Sequence, residues 1–448
     1  LRGKQGVEVL PGVANSIREE EHKISGIKGS ISVSWGGVSA GIGYGKSSDK
    51  IKEVTKEIIA NKLQAAGNVD IKSEEGDIDF GPTNGSIGGK LTYTGKHINI
   101  LDMHSERTID RVTKNTYAGV GITASIPVVG AAKQVWDAGK NLKNAKHKED
   151  YLNAGLGAYS AGMSAASAIG EMFTSPFGVT GSVNVSHNKN VYHREESISV
   201  GSNLHVGGGV EYNGESLHTR GLNILNEGDT TYNITGQILK EAGVSTIKEN
   251  SSNTGFGLSV AKGMVDSNGQ INAFKDKNAT ITPSISNQKS ESEGVYYSKN
   301  EDITKGNSHY NNTGNVKTVG VAVRTGSISG TVNGPHETIS VQDSVNSSSR
   351  GYSVSLGIGI GPHTEKRKAV NGPYISSATV GYNKGDVNQK ITRNVAEFTA
   401  GSGMLDVKGK IVQVGSLIDG GFTLNGQGYE KQDLHDIDKS RKVGVNVT

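Results

Sequence analysis

The chain has no cysteine, only 8 prolines and 5% aromatic residues, and its 47 basic and 44 acidic residues nearly cancel, leaving +3 over 448 residues. Each shortage excludes something. Without cysteine there is no thiolate metal site, no thiol nucleophile, no iron–sulfur cluster and no disulfide framework. Without a basic excess there is no electrostatic case for nucleic acid, and so small a net charge is far from what drives disorder. Apolar residues make up only 33% of the chain, thin material for the several globular cores its length would otherwise suggest. What is abundant is glycine, 63 residues of it. A stack of short parallel strands reconciles these facts. Each rung needs few inward apolar side chains, the next rung completes the core, and glycine and asparagine serve the corners.

Self-similarity supports the stack. "GSISVSWGG" from Gly29, "GSVNVSHNK" from Gly181, "GFGLSVAKG" from Gly255 and "GYSVSLGIGIG" from Gly351 share one grammar of glycine, then alternating apolar and small polar residues. Recurrence of this kind is the signature of a repeat architecture, and these segments read as rungs. Residues 26–44 alternate with strand spacing, 48–66 fit helix or strand with strand preferred, and 68–112 are the clearest rungs. Residues 284–316 and 343–350 are Ser/Asn-rich and read as looser stretches. Residues 131–173 break the pattern: they are rich in Ala, Leu, Met and Lys, lie between Pro127 and Pro176, and read as a helical hairpin turning near 146–150. The organisation expected is therefore rungs over 1–130, an inserted helical hairpin over 131–175, and rungs over 176–448, a single all-β solenoid. At about 20–25 residues per turn and about 4.8 Å between stacked strands, it would be a rod of roughly 80–95 Å. The start at Leu1 and the stop at Thr448 in mid-pattern suggest an internal fragment of a longer chain.

The repeat of glycine, apolar-x-apolar and serine, a Ser/Lys-rich stretch, and then an "I-x-A…L…G-x-V-x-I" run resembles the haemagglutinin repeats of filamentous haemagglutinin-like exoproteins. These are the large two-partner-secretion proteins that include contact-dependent growth-inhibition effectors. The residues that carry the resemblance include "SISVSWGGVSAGIGYGKSSDKIKEVTKEIIANKLQAAGNVDIKSEEGDI" and "SVNVSHNKNVYHREESISVGSNLHVGG", and "AGLGAYSAGMSAASAIG" is similar to an Ala/Gly insert of that family. The resemblance implies a right-handed parallel β-helix, export through an outer-membrane transporter, a secreted or cell-surface location, and a role in adhesion or toxin delivery through a surface receptor or glycan. The family's N-terminal secretion domain and its VENN-type boundary before a C-terminal toxin have no counterpart here.

Candidate chemistry is sparse. "GIGYGKSS" (residues 41–48) lacks the first glycine of a phosphate loop, where Ala40 stands, and lacks the helix that should follow. "GIGIGP" (357–362) lacks the third glycine of a dinucleotide fingerprint, and Pro362 would interrupt its helix. Asp433, His435, Asp436 and Asp438 form an acidic cluster without the glycine turn and closing glutamate of a calcium loop, and read as a solvated turn. Asp77 and Asp79 would point the same way from one strand, with Asp102 about a rung later. They are the only start of the paired carboxylates that a β-helix polysaccharide lyase or hydrolase needs. His187, His193, His205 and His218 have no metal-ligand spacing. Residues 151–170 carry no charge and place Ala154, Ala158, Gly162, Ala166 and Gly170 at every fourth position, a spacing suited to a helical pair on the rod's flank or to a membrane helix contact. The reading is a non-enzymatic structural and adhesive segment with no cofactor, no metal and no nucleic acid partner. A membrane-active delivery segment and a β-helix carbohydrate enzyme are the alternatives.

Overall fold

The structure is a computed structural model that describes residues 1–34, 37–124, 179–263, 279–365 and 368–448. Those residues are all β, with no helix among them. The helical hairpin expected over 131–175, with Ala154, Ala158, Gly162, Ala166 and Gly170, lies outside the described residues.

Two kinds of strand alternate along the chain. Short strands of four or five residues, such as Val69–Ser73, Asp77–Phe80 and Leu91–Thr94, bury every second side chain. They pair in parallel with the turns before and after them. Ile71 lies beside Tyr93 and Ile78 beside Ile98, offsets of 22 and 20 residues. Each turn lays down three strands, the third belonging to a nine-stranded parallel sheet. The first two strands of a turn are separate early in the chain and fuse later into bent strands, Asn300–Thr313, Val321–Val332 and Glu397–Val407. A glycine passes the chain from the first to the second turn of a pair at Gly221, Gly320 and Gly415, with φ of 68°, 68° and 53°. This left-handed region is cheap for glycine and strained for other residues. The result is a β-helix-like column of curled parallel strands.

Its core is a set of ladders. Tyr93, Tyr212, Tyr232 and Tyr310 stack with centroid separations of 5.6, 5.5 and 4.7 Å, and Phe80 closes that stack edge-on at 5.8 Å. On the third wall, Ile78, Ile98, Leu217, Ile238, Val316, His336 and Ile411 follow one another. All are buried. Lys240 is buried too, its ammonium paired with Asp302 and bonded to the Tyr232 hydroxyl at 2.8 Å. The attraction of Asp302 and its hydrogen bond outweigh the larger desolvation effect, so the Lys240 pKa is raised and the group stays charged.

The long strands are the unexpected part. After every two turns the column emits a hairpin with arms of 19–24 residues: Gly12–Ser34 with Gly37–Ile59, Met103–Ala124 with Val179–Val200, Val244–Gly263 with Ala279–Tyr297, and Asp343–Glu365 with Lys368–Ile391. Ile437–Val447 joins the last of them. These arms are antiparallel to one another and form one nine-stranded sheet. The period has a geometric cause. Two turns advance the column by two strand spacings, about 9.6 Å, and one hairpin adds two strands at the same spacing. Hairpin sheet and column therefore keep step.

This corrects the sequence reading in three places. The motifs at Gly29, Gly181, Gly255 and Gly351 are segments of hairpin arms rather than rungs. The stretches 284–316 and 343–350 are paired strands rather than loose segments. Among the described residues the column has nine layers on its third wall, about 40 Å of stacking in place of 80–95 Å, because so much of the chain leaves it for the hairpins. The preference for strand over 48–66 is borne out by strands ending at Ile59 and spanning Asn61–Ala65.

Candidate functional site

The hairpin sheet is the candidate site, and its two faces differ. A strand side chain alternates faces with period two, so the pairing register reads out each row across the sheet. One distal row runs Ile42, Val120, Val183, Val260, Ile281, Ile358, Ile375. Another on the same face runs Phe256, Ile285, Val354, Val380, Val447. Nothing among the described residues covers them: Val120 is 54% exposed, Ile285 54% and Ile375 70%. The opposite face holds Gly, Ser, Thr and Asn in the same region, as in the row Asn188, Gly255, Ser286, Ser353, Gly381, Asn446. A shallow groove of about 440 Å³ on that face is floored by Gly351 and Gly381 and edged by Asn253, Gln288, Asn383 and Asn446.

Nearer the column both faces carry ion pairs. Lys52 reaches Glu19 at 2.9 Å and Lys50 reaches Glu21 at 3.1 Å. On the other face Arg111 grips Asp49 at 2.7 Å and Arg107 bonds Glu53 at 2.6 Å. The Arg111 guanidinium holds the Asp49 carboxyl below its usual range. His193 lies between Asp110 at 2.6 Å and Glu195 at 3.1 Å, which raises its pKa.

Polar side chains fasten the hairpin bases, one to the column and others to the neighbouring arm. The Asp102 carboxylate, buried, pairs with Arg220 and accepts from the Ser199 hydroxyl. Asp343 accepts the Tyr297 amide at 2.9 Å. Asp436 accepts both the amide and the hydroxyl of Thr392, each at 2.8 Å, and these bonds lower its pKa.

Residues 41–48 and 357–362 run within hairpin arms, with no helix after either. Asp77 and Asp79 share the outer face of one strand, but Asp77 accepts the His97 amide at 3.2 Å and Asp79 bonds Asn99 at 2.9 Å. Asp102 is not on that wall; it sits at a hairpin base. Asp433, His435 and Asp436 are exposed between two strands, as a solvated turn requires, with Asp436 also accepting from Thr392, and Asp438 bonds Gln389 at 2.9 Å on the adjacent arm. His187 and His193 lie on one arm, while His205 and His218 pair with Glu227 and Glu241 on the column. Among the described residues no three His, Asp or Glu side chains converge as a metal site, and no helix is long and apolar enough to cross a membrane. The exposed apolar rows are not legible in the sequence, because each row is assembled from separate strands by their register.

A curled parallel column that fins one continuous antiparallel sheet defines a scaffold of the β-helix class, with its distinctive chemistry on the sheet. Residues 42–158 match the family model of the hemagglutinin repeat, a range that overlaps the first of the segments resembling filamentous haemagglutinin-like proteins. No curated protein and no solved structure is similar to the chain. The matched range covers hairpin arms and the first two full turns of the column, so the family's repeat joins both kinds of strand. Hemagglutinin-repeat proteins are secreted or cell-surface exoproteins typical of two-partner secretion, which implies an outer-membrane transporter as export partner.

Proposed function

We propose that the chain is a non-enzymatic display and attachment segment of a large secreted haemagglutinin-like exoprotein, its column a right-handed β-helix. The observation that carries this is the lockstep between column and hairpin sheet. Every two turns present one more hairpin, so the molecule builds an extended contact face far wider than any single rung. Stability comes from ladders and needs no ligand. The reading predicts that the purified segment binds target cells through a receptor or glycan and turns over no acidic polysaccharide. Binding is tested with labelled segment on intact cells. Absence of binding, or polysaccharide cleavage abolished by Asp77→Asn, would overturn it.

A second reading, a membrane-active delivery segment, is favoured by one specific observation: the apolar rows of the hairpin sheet. Along Asp343–Glu365 the band runs from Val354 to Ile360, about 20 Å at strand rise. The apolar belt of membrane strands is about 25 Å. Alternation of apolar with Gly, Ser or Asn over such a length is also the pattern of strands that face lipid on one side.

A further inference from the structure

We infer that the apolar face of the hairpin sheet docks on a bilayer rich in anionic lipid, and that a belt of unpaired cations beside the band reads the phosphate-bearing headgroups. The inference rests on the membrane reading above and names the partner that this face would take.

The belt lies on the same face as the apolar rows, four residues nearer the column than Ile285, Val354 and Val380. Lys289, Arg350 and Lys384 are directly opposite one another on three consecutive strands. One row toward the band, Lys114 and Lys189 are also directly opposite. Like charges placed directly across a sheet destabilise it, so stability of the free sheet does not account for these pairs. Nearer the column, several cations on this face are neutralised. Lys52, Lys50 and Lys248 each have a glutamate across the strand. Lys384 has Asp386 at 2.9 Å, but Lys114, Lys189, Lys289 and Arg350 have no carboxylate partner among the described residues.

The remaining features of the border fit the same partner. Tyr352 and Tyr382 are paired across the strands between the cations and the apolar row, 50% and 46% exposed. Apolar body and polar tip suit tyrosine to the level of the headgroups. Lysine and arginine stems lie along apolar surface while their charged ends reach outward. An anionic surface attracts such residues with about fivefold in partitioning for each charge. The sheet is open, and unpaired strand edges do not cross hydrocarbon. The geometry therefore points to docking by one face, with the Gly/Ser/Asn face left in water.

The test uses the whole chain and sedimenting vesicles. Phosphatidylglycerol–phosphatidylcholine vesicles are compared with pure phosphatidylcholine at low and high salt. Binding should favour the anionic vesicles by at least about tenfold and weaken with salt. The combined substitution Lys114→Gln, Lys189→Gln, Lys289→Gln and Arg350→Gln should remove that preference. An equal-charge control on the column, Lys4→Gln, Lys62→Gln, Lys410→Gln and Lys431→Gln, should keep it. Equal binding to both vesicles, or equal loss in the control, overturns the belt and leaves the membrane reading standing. No binding to either vesicle overturns the membrane reading itself. A dimer in sedimentation that Ile285→Ser with Val354→Ser converts to monomer assigns the face to a second copy and overturns the inference. Circular dichroism of each variant confirms that the strands remain.

Discussion

Replacing His336 by leucine should stabilise the protein, and most of all in acid. His336 occupies a place in an aliphatic ladder, between Val316 and Ile411 on the third wall of the column. Its side chain is fully buried, Phe398 meets its ring edge-on at 4.2 Å, and neither ring nitrogen has a hydrogen-bond partner. The nearby hydroxyls of Thr318 and Thr338 are also unpartnered. Burial, with a smaller push from the Lys240 charge, moves the His336 pKa from 6.5 down to about 4. The unfolded chain therefore binds a proton between these values that the folded chain refuses. Stability is full above pH 6.5 and is lost as pH falls toward 4. The shift is worth about 3 kcal/mol at its acid limit. Leucine removes this loss and, at neutral pH, adds about 1–3 kcal/mol by removing unpaired polar atoms. Thermal or urea unfolding of both proteins at pH 7.5 and pH 4.5 measures a double difference, in which carboxylates common to both cancel. An identical loss on acidification in the two proteins would refute the reasoning.

Three further outcomes follow from the packing. Tyr212→Ala should cost about 3–5 kcal/mol, because it opens the middle of the tyrosine stack, and calorimetry or urea titration will measure it. Asp302→Asn leaves Lys240 charged and unpaired in the core and should cost about 3–5 kcal/mol, whereas Lys240→Met with Asp302→Leu should be near neutral; equal losses for both would contradict this. Asp343→Ala frees the Tyr297 amide at a hairpin base, at about 1–3 kcal/mol, and should speed limited proteolysis between 343 and 391 while the column stays resistant.

How much of this was legible in the sequence depends on which residues are considered. The strands within 69–100 stood out because runs such as "LTYT" and "HINI" alternate cleanly between glycine turns. The hairpin arms alternate with the same period, so the motifs at Gly29, Gly181, Gly255 and Gly351 read as rungs. What separates arm from rung is length without a turn. Within the arms, glycines such as Gly41, Gly43, Gly119 and Gly121 serve as small side chains in extended backbone rather than as corners. The Ser/Asn stretch at 343–350 lacks strand propensity, and its conformation comes from the ladder beside it, a tertiary effect. Asp436 was visible only as one acid among several, because its role depends on Thr392, 44 residues away. The opposition of Lys289, Arg350 and Lys384 is likewise a property of register.

The alternation of two turns with one hairpin also favours one order of assembly. Ile98 finds its next neighbour on the wall in Leu217, 119 residues later, and Ile238 finds Val316 only after 78. Closing such gaps in an unstructured chain is entropically slow. A zipped hairpin brings its two feet together and reduces each gap to a short step. The route that avoids this cost is a relay, in which the arms zip first, their feet seat on the last completed layer, and that layer then templates the next two. A lesion at a foot, at Asp102 or Asp343, would stall everything that follows it along the chain while leaving what precedes it folded.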